Sequence, residues 1–114
     1  WPLMNESYFP SDVIIKNVND FFDFSNQSLV QFIHRNIAYL TFCIILFIGY
    51  FIFKNNKKNL YLPFFVVFFI INIQIILGIS VLLSNTHSAV ASLHQISSIF
   101  LILFSLKLYH MASV

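Results

Sequence analysis

Three uninterrupted apolar runs constrain this chain more than any other feature of its sequence. They extend from about Leu29 to Phe53, Leu60 to Leu83 and Ser88 to Tyr109. Each supplies the roughly 20 apolar residues that a helix needs to cross the hydrocarbon core of a bilayer. Lipid offers backbone amides no water to bond with, so such segments satisfy themselves as helices. Charge agrees: 9% of the 114 residues are Asp, Glu, Lys or Arg, against about a quarter in a soluble domain. The expected fold class is all-α, a transmembrane bundle of three membrane-spanning helices with a short N-terminal extramembrane segment. Six Lys and Arg in total leave no basic face of the kind a nucleic acid requires. Cys43 is the one cysteine, which excludes an intrachain disulfide. Inside an apolar run it reads as a small buried hydrophobe.

Residues 1–28 form a polar leader carrying Glu6, Asp12, Asp20 and Asp23 against Lys16. Pro2 and Pro10 keep its first part irregular. From Ser11 onward, Val13, Ile14, Val18, Phe21 and Phe22 recur at roughly helical spacing. Two readings stand side by side: a short amphipathic helix on the membrane surface, or an ordered loop packed on the bundle. Lys54, Lys57 and Lys58 crowd the first inter-helix loop, which should face the cytoplasm or a mitochondrial matrix. Lys107 falls on the same side, so the leader and the Ser84–His87 turn should lie outside. The chain begins at Trp1 rather than Met, and no signal peptide opens it; a longer parent protein is expected. Asn5-Glu6-Ser7 and Asn26-Gln27-Ser28 are glycosylation acceptor patterns and would face outward.

In this topology the first and third spans run in the same direction. His34 falls about five residues into the first and His94 about six into the third, so both should sit roughly 7–9 Å below the outer boundary. Two imidazoles at one depth on parallel helices are the arrangement that bis-axial heme ligation needs. Small residues accompany each of them: Ala38 and Thr41 beside His34, and Ala91, Ser97 and Ser98 beside His94. They leave room for a porphyrin edge, though small residues also serve plain helix packing in membranes. Intramembrane histidines are functional candidates in their own right. Zinc fits poorly, because it wants three or four ligands and the spans carry no carboxylate. His87 lies roughly 10 Å from His94 along a helix and His110 about 24 Å from it; both read as interfacial. Arg35 either snorkels to the outer interface or meets a heme propionate. Gln31 and Gln95 can hydrogen-bond a propionate or a ligand imidazole. In the second span Gln74 and Gly78 share a face one turn apart. Gly78 allows close backbone approach. Gln74, polar at mid-membrane depth, should face protein; an interhelical hydrogen bond with no chemistry is the plainer reading of it.

At these residues the sequence resembles a known family. Val30-Gln31-Phe32-Ile33-His34-Arg35-Asn36-Ile37-Ala38-Tyr39 resembles the histidine-arginine helix of heme A synthase. Gln74-Ile75-Ile76-Leu77-Gly78-Ile79-Ser80-Val81-Leu82-Leu83 is similar to the helix that follows, and Ala91-Ser92-Leu93-His94-Gln95 to the last helix. Trp1-Pro2-Leu3-Met4 with Phe9-Pro10 is similar to the loop preceding the His34 helix. The resemblance covers nearly the whole chain. It implies eight transmembrane helices in two pseudo-symmetric four-helix halves, with this chain in the second half and lacking that half's first helix. That half would hold heme b as a cofactor, with His34 and His94 as the iron ligands. The first half would hold the substrate heme O near a glutamate; Gln31 stands at the corresponding place here, which fits the cofactor half.

The implied reaction oxidises a methyl group of heme O to the formyl group of heme A, the heme of cytochrome oxidase. The implied partners are the N-terminal half of the enzyme, heme O, membrane lipid, a ferredoxin electron donor and a second copy of the protein. The absence of a cysteine pair in the leader resembles the mitochondrial and alphaproteobacterial branch, so the implied location is a bacterial plasma membrane or mitochondrial inner membrane. His87 stands where the family often has a proline. Without the first half, this chain is not expected to complete the reaction. Two further readings of the residues remain: a free-standing bis-histidine b-type cytochrome subunit for electron transfer, and a non-heme membrane subunit whose histidines bridge helices.

Overall fold

The computed structural model describes residues 7–14, 24–84 and 87–113. Three long helices account for most of them: α1 (Gln27–Lys54), α2 (Tyr61–Leu83) and α3 (Ser88–Ser113), with a single 3₁₀ turn, Lys58–Leu60, leading into α2. All three are long and apolar enough to cross a membrane. The chain is therefore an all-α, multi-pass membrane protein.

Local chemistry sets the helix ends. Asn26 starts α1: its Oδ1 accepts the Leu29 N–H at 3.1 Å and its carbonyl accepts the Val30 N–H at 3.1 Å. This is the N-cap role for which asparagine is well suited, and it starts the helix two residues before the apolar run. At the other end Asn56 takes a left-handed conformation, φ 51°. The Lys57 N–H bonds the Ile52 carbonyl and the Asn56 N–H bonds the Phe53 carbonyl, both at 3.1 Å. That pair of bonds is a Schellman stop. Pro63 lies in the first turn of α2, where its missing N–H costs nothing. At the start of α3 the His87 carbonyl accepts the Ala91 N–H at 3.1 Å, so histidine at this position supports a regular first turn. The helix runs past Tyr109 to Ser113, because no glycine or proline in Lys107–Ser113 breaks it.

The chain divides into two compact units, Trp1–Thr41 and Phe42–Val114. In the first, the leader segment Ser7–Pro10 is tied to the outer turns of α1. The Tyr8 hydroxyl donates to Asn36 Oδ1 at 2.7 Å, and the Phe32 ring meets Tyr8 and Phe9 edge-on, at 5.6 and 5.2 Å between centroids. Leu29 and Pro10 are buried. Ser11 and Asp12 form a turn. Val18, Phe21 and Phe22, on which the amphipathic-helix reading depends, lie outside the described residues.

The second unit contains the rest of α1, with α2 and α3. Its core is Ile45, Ile52, Leu60, Phe64, Val67, Ile71 and Leu108, with Phe42, Phe68, Leu101 and Phe104 packed against it. Leu60, at the end of the 3₁₀ turn, and Phe64, Val67 and Ile71 on α2 form one buried stripe at helical spacing. Phe42 stacks on Phe68, and Phe53 meets Phe64 edge-on, so this part of α1 runs antiparallel to α2. Gly49 is buried under the Phe64 ring, and any Cβ there would collide with it. Lipid tails are as apolar as these side chains, so close packing, rather than exclusion from water, holds such a contact. Cys43 corrects an expectation: it is exposed, because it lies off the stripe Phe42, Ile45, Gly49 and Ile52 with which α1 packs.

Candidate functional site

The stripe that α2 buries does not stop at Ile71. Continued by alternating steps of three and four residues, it reaches Gln74 and then Gly78. On α3 the matching stripe runs from Leu108 back through Phe104 and Leu101 to Ser97 and His94. The two helices are antiparallel, so the polar end of one meets the polar end of the other. Gln74 Nε2 lies 3.5 Å from His94 Nε2, and the Ser97 hydroxyl bonds Gln74 Oε1. Ser97 Oγ also lies 3.0 Å from the His94 carbonyl. A Cβ added to Gly78 would stand 3.1 Å from Cε1 of the His94 ring. Glycine is therefore what lets the imidazole lie against the backbone of α2.

His94 is half-buried, whereas His34, His87 and His110 are exposed. His87 immediately precedes α3 and His110 lies in its last turn, in keeping with interfacial positions. Gln95 is exposed and stands apart from the Gln74 cluster; a side chain one residue on points about 100° around the helix. Ser98 donates to the Gln95 carbonyl at 2.6 Å and Thr41 to the Ile37 carbonyl at 2.8 Å. Of the small residues near the two histidines, Ser97 is the one engaged across a helix contact.

In the first unit His34, Arg35 and Gln31 share the outer turns of α1. Arg35 reaches back to the leader. One guanidinium nitrogen donates to the Tyr8 carbonyl at 3.0 Å, and the group lies 4.8 Å from the centroid of the Tyr8 ring and 5.9 Å from that of Phe32. The guanidinium is thus held against the leader segment. Gln31 is half-buried.

Sequence reasoning singled out His94 and treated Gln74 separately; it did not join them. The available signal was Gln74 and Gly78 at the same spacing as the packing stripe. Among the described residues no three His, Cys, Asp or Glu side chains come together. A cavity of about 270 Å³ opens in the second unit, at the end of α2 away from Gln74, between Ile48, Ile52, Leu60, Phe64 and Leu108; its walls offer a ligand little beyond apolar contact.

Comparison with known proteins gives a consistent picture. Residues 1–106 match the COX15-CtaA family, described as a cytochrome oxidase assembly protein. The heme A synthase of Pelagibacter ubique is 41% identical over 99 residues, which cover 87% of this chain and 29% of that protein. The heme A synthase of Wolbachia pipientis wMel is 33% identical, over 96% of this chain and 29% of its own length. That of Bartonella tribocorum is 32% identical, over 92% and 30%. This chain thus spans about three tenths of the length of these curated relatives. No solved structure matches it. On the strength of a match that runs through all three helices, the chain belongs to the COX15-CtaA family of cytochrome oxidase assembly proteins.

Proposed function

We propose that this chain is the heme b-holding part of a heme A synthase, with His34 and His94 as the two axial ligands. The observation that carries the proposal is His94 itself: an imidazole on a membrane-capable helix, set into a helix contact where a glycine lets it lie against α2. The residues present fit the group. A porphyrin brings four equatorial nitrogens of its own, so two imidazoles suffice where a bare metal ion would want three or four protein ligands.

In this reading α2 sets the tilt of the His94 ring through the close approach at Gly78. Arg35, anchored by Tyr8, keeps a positive charge at the outer end of the site for a carboxylate such as a propionate, with Gln31 and Gln95 as further hydrogen-bonding groups. The surrounding Ile, Leu and Phe side chains exclude water. A bound heme b supplies a one-electron relay toward the substrate heme. The oxidation of heme O to heme A for cytochrome oxidase belongs to the whole enzyme, with its N-terminal half, a ferredoxin-type donor and a second copy as further partners. The membrane is a bacterial plasma membrane or a mitochondrial inner membrane.

The test is an absorbance spectrum of the purified chain titrated with ferric heme in detergent. A low-spin Soret band, with sharp α and β bands on reduction, is expected. His34→Ala and His94→Ala should each weaken or abolish it. A bis-histidine spectrum fully retained in either variant refutes the ligand assignment.

A further inference from the structure

The contact between Gln74 and His94 has a consequence for how iron would reach the imidazole. Nε2 of a neutral imidazole has one in-plane position outside the ring, filled by either a lone pair or a proton. Gln74 Nε2 lies 3.5 Å from that atom. With Oε1 taking the Ser97 hydroxyl, the amide presents its NH₂ to Nε2 and can donate to the lone pair that iron would need. Ser97 keeps the amide there through its bond to Gln74 Oε1, and close approach at Gly78 keeps the ring against α2. A polar ring nitrogen among apolar side chains needs such a partner, because leaving it unsatisfied is costly.

We propose that Gln74 is a placeholder for iron on His94: it competes with iron for Nε2 and withdraws when heme is taken up. The proposal rests on the reading of His94 as an axial ligand. It gives Gln74 a role opposite to that of a residue that steadies a bound ligand. A steadying residue would hold the ring nitrogen remote from the metal; this one holds the nitrogen that most often faces it. Removing the amide therefore removes a competitor. A net hydrogen bond corresponds to a factor of about 2 to 10 in an equilibrium constant, and a contact this long belongs at the lower end. Ser97 retains its 3.0 Å bond to the His94 carbonyl when Gln74 is replaced, so the substitution leaves it partnered.

The experiment titrates the full chain in detergent with ferric heme and reads the Soret band, for the parent, Gln74→Leu, Ser97→Ala and His94→Ala. Gln74→Leu should bind heme about 2- to 5-fold more tightly, and Ser97→Ala should shift affinity in the same direction by less. In the heme-free protein, ¹⁵N resonances of the His94 ring should move on Gln74→Leu. Unchanged or weakened heme affinity in Gln74→Leu, with His94→Ala still losing the spectrum, overturns the placeholder and leaves the ligand reading intact. A spectrum that survives His94→Ala overturns the ligand reading and the placeholder with it. If circular dichroism shows Gln74→Leu misfolded, Ser97→Ala and the parent's ring resonances on heme addition carry the test; no change in either overturns the proposal.

Discussion

The backbone of Gly78 lies so close to the imidazole of His94 that a methyl group there would stand 3.1 Å from Cε1. At that distance the ring must give by a few tenths of an ångström if Gly78 becomes alanine, and must leave its place if it becomes leucine. Overpacking of this kind costs about 1–3 kcal/mol. Gly78→Leu should therefore lower the stability of the second unit by about that amount, read as a lower thermal midpoint in detergent, and Gly78→Ala by less, with helix content unchanged by circular dichroism. Parent-like melting of Gly78→Leu would show that the ring does not depend on this gap.

A second glycine makes a purely structural prediction. Gly49 packs under Phe64, which is 5% exposed and has little room to retreat. Gly49→Val should destabilise the second unit by about 1–3 kcal/mol, read as a lower thermal midpoint in detergent. Phe64→Leu in the same chain should restore part of the loss. If the two substitutions simply add, the ring and the glycine are not in contact.

The stop of α1 depends on one residue. Asn56 holds a left-handed conformation that costs most residues about 1–2 kcal/mol and glycine almost nothing. Asn56→Val should lower stability by about that amount, whereas Asn56→Gly should match the parent or exceed it. Equal melting of the valine and glycine variants would contradict the Schellman geometry.

The start of α1 gives the fourth prediction. Asn26→Ala removes the acceptor of the Leu29 N–H, at a cost of about 1 kcal/mol. Hydrogen exchange at Leu29 should quicken, and Asn26→Ser should largely restore protection. Unaltered exchange in the alanine variant would mean that the cap carries no weight.

How far the sequence could be read depended on what each residue had to declare. Lipid forces long apolar runs to be helical, so α1, α2 and α3 were legible, and their ends shifted only where Asn26 or an unbroken Lys107–Ser113 extended them. Facing was harder. The α2 segment has a mean hydropathy of 2.7 and is apolar all round, so no amphipathic pattern tells its inner face from its outer one. Gln74 and Gly78 were the readable exceptions. They indicated a protein-facing side, but nothing in one sequence could say that His94 and Ser97 would be the partners. Cys43 shows the same limit from the other side: an apolar neighbourhood in sequence did not mean a buried position. The Arg35 acceptor, the Tyr8 carbonyl, was not legible because it is a backbone group that no residue type advertises.

The continuous stripe along α2 puts two kinds of surface on one rod. Phe64 and Val67 sit in the apolar core, while Gln74 and Gly78, further along the same face, meet His94. The seating of the imidazole therefore shares its foundation with side chains that have no polar atom, and a change in the size of Val67 is expected to be felt there.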